Sequence, residues 1–235
     1  MTQFSDTAEK KKILIVLTSH GEFTPSHEPT GYWLSELTHF YDVLNEAGFD
    51  IDIASPRGGE PPMDPGSRAA RDPINTKCLN DPSFIEKISH TLTPDQVDAR
   101  MYVAVYFAGG HGPMYDLAQD ERIASITRAI YENGGIVSAV CHGSAALLPV
   151  VLSSGTHVLA GKTVSGFTNT EELLVRRKKY MPFLLEDKLK SLSGKYTKGF
   201  PFLSHVVVDG RLITGQNPRS AKKVAEALKQ AIKEA

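Results

Sequence analysis

The sequence predicts an α/β fold in which a mainly parallel central sheet lies between layers of helices. Residues 13–18, 102–107 and 136–140 are continuous apolar segments of strand length, as in strands that are buried on both faces of a parallel sheet. Amphipathic helical segments alternate with these strands, which is the pattern of βαβ units. We expect one domain over residues 1–235, because α/β domains often exceed the usual domain length.

Composition argues against several kinds of partner and compartment. The formal net charge of -1 and the pI of about 6.7 do not favour a nucleic acid partner. No apolar segment approaches the roughly 20 residues that span a bilayer, so we expect no membrane association. The polar N-terminus, residues 1–12, lacks the apolar stretch of a signal peptide, and two cysteines make no disulfide framework. These observations predict a reducing, cytoplasmic location.

The first helix is predicted over residues 31–44, after a polar loop at residues 19–29 that follows the carboxyl end of the first strand. Thr30 is the expected N-cap of this helix. Glu36 lies beside the apolar stripe of the helix, and from its position alone we interpret it as a surface carboxylate.

A second strand is predicted over residues 49–55, and a loop-rich insertion follows at about residues 56–98. The first part of the insertion, residues 56–73, is rich in proline and glycine and has no periodic pattern, which predicts a long loop. A short helix is expected over residues 82–88. Cys78 lies in a polar segment, so we expect no special role for it.

The third strand, residues 102–107, is followed by the glycine-rich segment 108–113. Glycines after a strand let backbone N–H groups approach a ligand closely and form an anion-binding pocket. His111 in this segment is either a wall of that pocket or an ordinary loop histidine. An amphipathic helix over residues 120–133 then leads to the strand at residues 136–140.

Cys141 lies in the tightest predicted turn of the chain. The preceding strand ends at residue 140, and the next helix is expected from Ser144. Only Cys141, His142 and Gly143 remain to reverse the chain direction. Such an elbow exposes its central side chain, and small neighbours such as Ala139 avoid collisions. A helix N-terminus lowers the pKa of a thiol, so we interpret Cys141 as a nucleophile rather than as a small buried hydrophobic residue.

The carboxyl-terminal third is predicted to begin with a short strand within residues 161–166. A helix follows, for which Asn169 or Thr170 is the expected N-cap. In that position Glu171 and Glu172 are ordinary first-turn carboxylates that complement the helix dipole.

Residues 180–190 predict a further helix, and residues 205–214 predict a β-hairpin around an Asp-Gly turn. A last helix begins after Ser220, its expected cap. This helix has three apolar residues on its inner face, Val224, Leu228 and Ile232. Residues 200–202 include two phenylalanines, which we expect to pack, for instance against a partner subunit.

Four segments together resemble the DJ-1/PfpI family, and in particular its Hsp31-like branch of glutathione-independent glyoxalases and chaperone-type proteins. The segments are residues 109–112, 139–143, 165–172 and 214–218. The opening strand and the region from Thr30 to Glu36 also fit, so the resemblance covers nearly the whole chain. It implies a flavodoxin-like three-layer sandwich with the layout of class I glutamine amidotransferases, and a homodimer.

The resemblance also implies roles for individual residues. Cys141 resembles the family nucleophile and His142 its partner. The family acid falls on Glu172, five residues past Phe167, although the adjacent Glu171 leaves both carboxylates open for this role. Because the side chains of consecutive turn residues usually diverge, His142 need not contact Cys141 in the free protein.

A second carboxylate and a pocket complete the implied site. Glu36 resembles the helix carboxylate that meets the nucleophilic sulfur. If its carboxyl is protonated, it donates a hydrogen bond to the thiolate and lowers the pKa of the cysteine. The backbone N–H groups of Gly110 and His142 would bind an oxyanion. His111 and Gly143 would lie in the same substrate pocket.

The implied activity is that of a cysteine-dependent, glutathione-independent glyoxalase, a lyase of the D-lactate dehydratase class. Such an enzyme converts methylglyoxal and related 2-oxoaldehydes to 2-hydroxy acids such as lactate. The chain has no P-loop, no dinucleotide fingerprint and no zinc-ligand spacing, so we expect neither a cofactor nor a metal. The alternatives are an amidase, peptidase or deglycase of the same superfamily, and a holdase chaperone or redox-stress protein.

Overall fold

Within residues 12–68 and 71–234, which the computed structural model describes, six strands form a central sheet and two further strands form a separate pair. The strands are β1 Lys12–Val16, β2 Asp50–Ala54, β3 Tyr102–Phe107, β4 Ile136–Val140, β5 Thr163–Val164, β6 Lys195–Tyr196, β7 Val206–Asp209 and β8 Leu212–Gly215. The order in the central sheet is β2-β1-β3-β4-β8-β7. All its neighbours are parallel except the β7–β8 hairpin, so the predicted mainly parallel sheet is confirmed.

Helices flank this sheet, as predicted for an α/β fold. They are α1 Leu34–Glu46, α2 Pro65–Arg68, α3 Pro73–Leu79, α4 Pro82–Ser89, α5 Glu121–Glu132, α6 Asn169–Leu174, α7 Leu185–Ser193 and α8 Ala221–Glu234. Helix α8 packs on β4 and β8 through an inner face that includes Val224, Leu228 and Ile232, all buried as expected. Among the residues that the structure describes, none of the helices has the length and hydropathy that a membrane crossing requires.

The central strands are buried on both faces. Four of the five residues of β1, Ile13 to Val16, are 0% exposed, and β3 and β4 are similarly enclosed. The bounds of β3 and β4 are those predicted from the apolar segments. Because β3 and β4 are adjacent and parallel, with Phe107 paired to Ala139, the segments that follow them leave the same edge of the sheet. That edge is where open α/β sheets bind ligands.

Helix α1 begins at Leu34, three residues later than predicted. Thr30 is not its N-cap, because the Thr30 hydroxyl instead donates to the Asp64 carboxylate at 3.0 Å. The residues before the helix are extended, and the Tyr32 N–H donates to the Pro62 carbonyl at 2.9 Å. This pairing with the insertion prevents the helix from starting earlier.

The insertion contains more helix than the sequence indicated. The predicted loop at residues 56–73 includes α2, and the sequence interpretation missed α3 entirely. The Asp72 side chain caps α3 by accepting from the Ile74 and Asn75 N–H groups. Helix α3 packs on α1, so Cys78 is 3% exposed and part of the core rather than in a polar surface segment.

Two further caps differ from the predictions. Helix α6 has Thr168 as its N-cap, rather than Asn169 or Thr170, and Thr168 forms a capping box with Glu171. Ser220 directly precedes α8, but its hydroxyl binds the backbone of His205. Helix α7 begins at residue 185, after a 3₁₀ turn, instead of at residue 180.

Candidate active site

Cys141 occupies a strained backbone conformation at the elbow between β4 and the following helical turn. Its φ angle is 57°, in the left-handed region that residues with a side chain rarely adopt. A 3₁₀ helix begins at Cys141 itself and extends to Leu147, so the helical segment starts earlier than the predicted Ser144. Strain of this kind concentrates at functional sites, where the surrounding structure holds it in place.

Small residues make the elbow possible. A side chain on Gly143 would place its Cβ 2.3 Å from the carbonyl oxygen of Phe107. A Cβ on Gly109 would lie 2.7 Å from Glu36 Oε2 and 2.9 Å from the Cβ of Cys141. The ends of β3 and β4 therefore approach each other as closely as backbone allows, and they enclose the sulfur between them.

His142 contacts the sulfur directly. Its Nδ1 lies 3.4 Å from Cys141 Sγ, so the expected divergence of these two side chains is wrong. On the other side of the ring, Nε2 lies 2.7 Å from Glu172 Oε2. Because a carboxylate only accepts hydrogen bonds, we assign the ring proton to Nε2. Nδ1 then presents a lone pair to the thiol, which is the arrangement of a nucleophile, a base and an orienting acid.

The protonation states agree with this assignment. Burial, and the neighbouring His111, lower the pKa of His142, so its imidazole is neutral near pH 7. Burial opposes ionisation of Glu172, but the positive charge that His142 acquires in acid and hydrogen bonds from both histidines hold the pKa of Glu172 well below its usual range. A neutral base beside a charged carboxylate is therefore ready to accept the thiol proton.

Glu36 is fully buried next to the sulfur. Its Oε2 accepts the backbone N–H of Gly109 at 2.6 Å, while Oε1 has no hydrogen-bond partner in the described part of the chain. Burial raises the pKa of Glu36 to about 8, so the carboxyl carries a proton at neutral pH. The surface position assigned from helix periodicity alone is thus wrong. Because Oε2 accepts the Gly109 N–H, we place the carboxyl proton on Oε1.

The thiol of Cys141 is itself neutral in the closed site. Burial, followed by repulsion from Glu36 once that carboxyl ionises at high pH, raises the pKa of Cys141 well above its ordinary value. The sequence predicted a lowered pKa from the helix N-terminus, but enclosure of the sulfur outweighs that effect. Transfer of the thiol proton to His142, with Glu36 as hydrogen-bond donor, is the route to a thiolate that this geometry offers.

His111 forms a second contact with Glu172. Its Nε2 lies 3.3 Å from Glu172 Oε1, and its ring centroid lies 4.3 Å from that of His142. One carboxylate thus bridges two imidazoles. Sequence reasoning placed His111 at a pocket wall but missed this bridge, because His111 and Glu172 are 61 residues apart and no local pattern connects them.

A cavity of about 430 Å³ lies on the far side of His111. Its lining includes His111, Phe23, Trp33, Glu28 and Arg177. Cys141 is only 3% exposed and does not line this cavity. Aromatic rings enclose the histidines, since Phe23 lies 5.1 Å from the ring of His111 and Phe167 lies 4.4 Å from the ring of His142. His111 therefore belongs both to the cavity lining and to the cluster of side chains beside the sulfur.

The two adjacent glutamates of α6 have different surroundings. Glu172 faces the histidines, whereas Glu171 faces a loop and the end of β8. Glu171 Oε1 accepts the Phe202 N–H at 2.8 Å and the Asn217 amide at 2.9 Å. Its Oε2 accepts the hydroxyl and the N–H of Thr168. Of the two carboxylates that the sequence left open, Glu172 is thus the one hydrogen-bonded to His142, and its role as the acid of the site stays a prediction.

Gly110 has a φ of 92°, and an added Cβ would lie 2.2 Å from the carbonyl oxygen of Gly31. Its backbone is therefore restricted to glycine, and its oxyanion role stays a prediction. Among the described residues, one group of side chains could hold a metal ion, His111, His142 and Glu172, whose ligand atoms lie within 4.8 Å of one another. Both Glu172 oxygens already pair with imidazole nitrogens, so we interpret the group as acid–base machinery.

Comparisons with known proteins agree with the fold and the site. The sequence model of the DJ-1/PfpI family matches residues 29–231. The chain is 32% identical to the probable glutathione-independent glyoxalase hsp3103 of Schizosaccharomyces pombe, over 93% of this chain and 97% of that protein. The structure resembles the Rapid Encystment Protein 24 KDa of Francisella tularensis, with a TM-score of 0.91 at 40% identity over 94% of this chain and 99% of that one. It also resembles glyoxalase III of Candida albicans, with a TM-score of 0.86 at 26% identity over 95% and 98% of the two chains.

The matched region includes the elbow, both histidines of the site, and Glu36, Glu171 and Glu172. The solved structures cover nearly the whole chain and share its mainly parallel sheet with flanking helices. On these grounds the chain belongs to the DJ-1/PfpI family.

Proposed function

We propose that this protein is a glutathione-independent glyoxalase that converts methylglyoxal and related 2-oxoaldehydes to 2-hydroxy acids. The observation that carries the proposal is the Cys141–His142–Glu172 chain of contacts, at 3.4 Å and 2.7 Å, beside a protonated Glu36. Three relatives that are 31–32% identical to this chain, hsp3103 among them, are named as glutathione-independent glyoxalases, and this supports the proposal.

The first chemical step is addition of the thiol to the aldehyde. Sγ of Cys141 forms a bond to the aldehyde carbon, while Nδ1 of His142 takes the thiol proton and returns it to the former carbonyl oxygen. The product is a hemithioacetal. Glu36 donates a hydrogen bond to the sulfur as negative charge develops there, and the backbone N–H groups of Gly110 and His142 are the proposed oxyanion donors.

The second step is an internal oxidation and reduction. The carbon bound to sulfur loses its proton and becomes a thioester carbonyl, while the neighbouring ketone carbon gains a proton and becomes an alcohol. No external oxidant is required, because the two carbons exchange oxidation levels. Water then hydrolyses the thioester, which releases the 2-hydroxy acid and restores the Cys141 thiol. The protein thiol takes the part that glutathione plays in other glyoxalases. The proposed class is a lyase of the D-lactate dehydratase type.

The decisive experiment measures lactate formed from methylglyoxal without added glutathione. Wild type should turn over, and Cys141→Ala should lose at least about 1,000-fold in kcat/KM because the nucleophile is gone. Cys78→Ala is the matched control, since Cys78 lies in the core against α1 and its thiol pKa is raised by burial to about 12. Full turnover by Cys141→Ala would contradict the proposal.

A Cys–His–Glu site is also suited to hydrolysis of amides, so an amidase, peptidase or deglycase activity is the alternative within the enzyme class. Turnover of glutamine, peptide amides and glycated amino acids, measured beside methylglyoxal, separates these activities. The preferred substrate is the one with the highest kcat/KM that is also lost in Cys141→Ala.

Exposed apolar side chains favour a holdase function as a second candidate. Phe200 is 80% exposed, Leu173 64%, Leu174 57% and Leu203 53%. Phe202 packs inward instead, with its ring 6.3 Å from that of Phe167. The test measures aggregation of a heat-denatured protein in the presence of each variant. The holdase function is supported if Cys141→Ala suppresses this aggregation and Phe200→Ser does not. The homodimer and the cytoplasmic location stay predictions.

A further inference from the structure

His111 and His142 share the carboxylate of Glu172, but their Nδ1 atoms have different surroundings. The Nε2 atoms of both rings face Glu172, at 3.3 Å and 2.7 Å. Nδ1 of His142 faces the sulfur. Nδ1 of His111 makes no hydrogen bond within residues 12–68 and 71–234, and the ring lines the cavity. One imidazole thus contacts the nucleophile, and the other lines the cavity, which we take as the substrate entrance.

The proposed reaction requires proton transfers at two adjacent carbons and at their two oxygens. His142 lies against the sulfur, so its Nδ1 can serve the carbon that becomes bonded to Sγ. The ketone carbon and oxygen are one bond further from the sulfur, and His111 is the imidazole that both contacts the His142 ring and lines the cavity. A single imidazole whose Nε2 is held by Glu172 has only one nitrogen available for both ends of the substrate.

We propose that His111 is a second catalytic acid–base residue, which exchanges protons with the ketone end of the bound 2-oxoaldehyde. This inference rests on the proposed glyoxalase function and adds a catalytic group to it. In the isomerisation, His142 removes the proton from the sulfur-bound carbon, which leaves negative charge on the ketone oxygen. Nδ1 of His111 takes the hydroxyl proton from the sulfur-bound carbon and passes it to the former ketone oxygen, and His142 then delivers its proton to the former ketone carbon. Both imidazoles return to their starting states with the thioester formed.

Glu172, which contacts both imidazoles, stabilises the positive charge that each of them acquires in this mechanism. As one histidine accepts a proton it becomes positive, and Glu172 stabilises that charge from a distance of about one hydrogen bond. The substrate carries the compensating negative charge, so the net charge of the reacting groups stays constant during each transfer. Phe23 packs against His111 and Phe167 against His142, so part of each ring is covered by apolar surface.

The test compares wild type with His111→Gln. A glutamine amide can still donate a hydrogen bond to Glu172 but cannot carry a proton. We expect kcat for methylglyoxal to fall at least about 100-fold, the usual size of an acid–base contribution. Alkylation of Cys141 by iodoacetamide should change by less than about threefold, because thiol activation depends on His142. Intact-protein mass spectrometry should show accumulation of the substrate adduct on Cys141.

A second variant separates proton transfer from positioning. In His111→Ala, added imidazoles should restore turnover, with rates that increase with the pKa of the added imidazole, which a purely structural role does not produce. Turnover by His111→Gln within about threefold of wild type, or rescue that is independent of the imidazole pKa, would overturn the proposed role of His111. Either result would leave the glyoxalase proposal intact. Absence of methylglyoxal turnover in wild type would overturn the glyoxalase proposal, and this inference with it.

Discussion

Nε2 of His142 lies 2.7 Å from Oε2 of Glu172, and this contact fixes which ring nitrogen carries the proton. In Glu172→Gln the amide can instead donate to Nε2, which moves the ring proton to Nδ1 and removes the acceptor for the thiol. We expect kcat/KM for methylglyoxal to fall by about 100- to 10,000-fold. The melting temperature, measured in parallel, should change little. Retention of a tenth of wild-type activity would contradict this account of the triad.

Glu171 should behave oppositely to its neighbour. It is 0% exposed, and its two oxygens accept from Thr168, Phe202, Gln216 and Asn217. In Glu171→Gln the new NH₂ group faces donors, so we expect the free energy of unfolding to fall by about 2–4 kcal/mol. Urea denaturation measures this change. Glu132→Gln, which alters an exposed carboxylate that accepts from Ser153, is the matched control and should cost less than about 1 kcal/mol. Equal losses in the two variants would show that Glu171 has no special structural role.

The buried carboxyl of Glu36 should make stability depend on pH. Because burial raises its pKa from 4.5 to about 8, the folded protein binds more protons than the unfolded chain between these values. Stability therefore decreases as pH rises across this window. Glu36→Gln lacks the effect, so its free energy of unfolding should gain about 2–4 kcal/mol relative to wild type between about pH 5 and about pH 8. Parallel curves for the two proteins would mean that Glu36 is ionised in the folded state.

The decrease of kcat/KM at low pH should reflect protonation of His142. Its pKa is lowered from the ordinary 6.5, mainly by burial, and only the neutral ring accepts the thiol proton. We expect kcat/KM to stay constant as pH falls through about 6.5 and to decrease only in more acidic buffer. The rate of Cys141 alkylation, measured over the same range, should follow the same limb. A limb centred above about 6.5 would contradict a neutral, desolvated His142.

The sheet and the elbow could be predicted because they depend on local sequence. Apolar segments of strand length fix β3 and β4, and a cysteine between small residues after β4 indicates the turn. Helix α3 was missed because seven residues are too short for a clear periodic pattern, although Asp72 before Pro73 is a typical start signal. The sequence predicts Thr30 as a helix cap because only local patterns are visible in it. The actual partner of the Thr30 hydroxyl, Asp64, is 34 residues away.

The electrostatics of the site could not be predicted from local sequence. The pKa of Cys141 depends on enclosure by residues from β3, α1 and α6, which only the folded chain brings together. The distinction between Glu171 and Glu172 depends on the loop at Phe202 and on Asn217, which are 31 and 46 residues from Glu171. Local rules assign both glutamates the same first-turn role, and long-range hydrogen bonds separate them.

The enclosure of Cys141, which is 3% exposed, restricts which molecules can react with its sulfur. A small aldehyde needs only a small displacement of the surrounding side chains to reach the sulfur, whereas a tripeptide thiol such as glutathione needs a larger one. Burial therefore protects the nucleophile from forming mixed disulfides with bulky thiols.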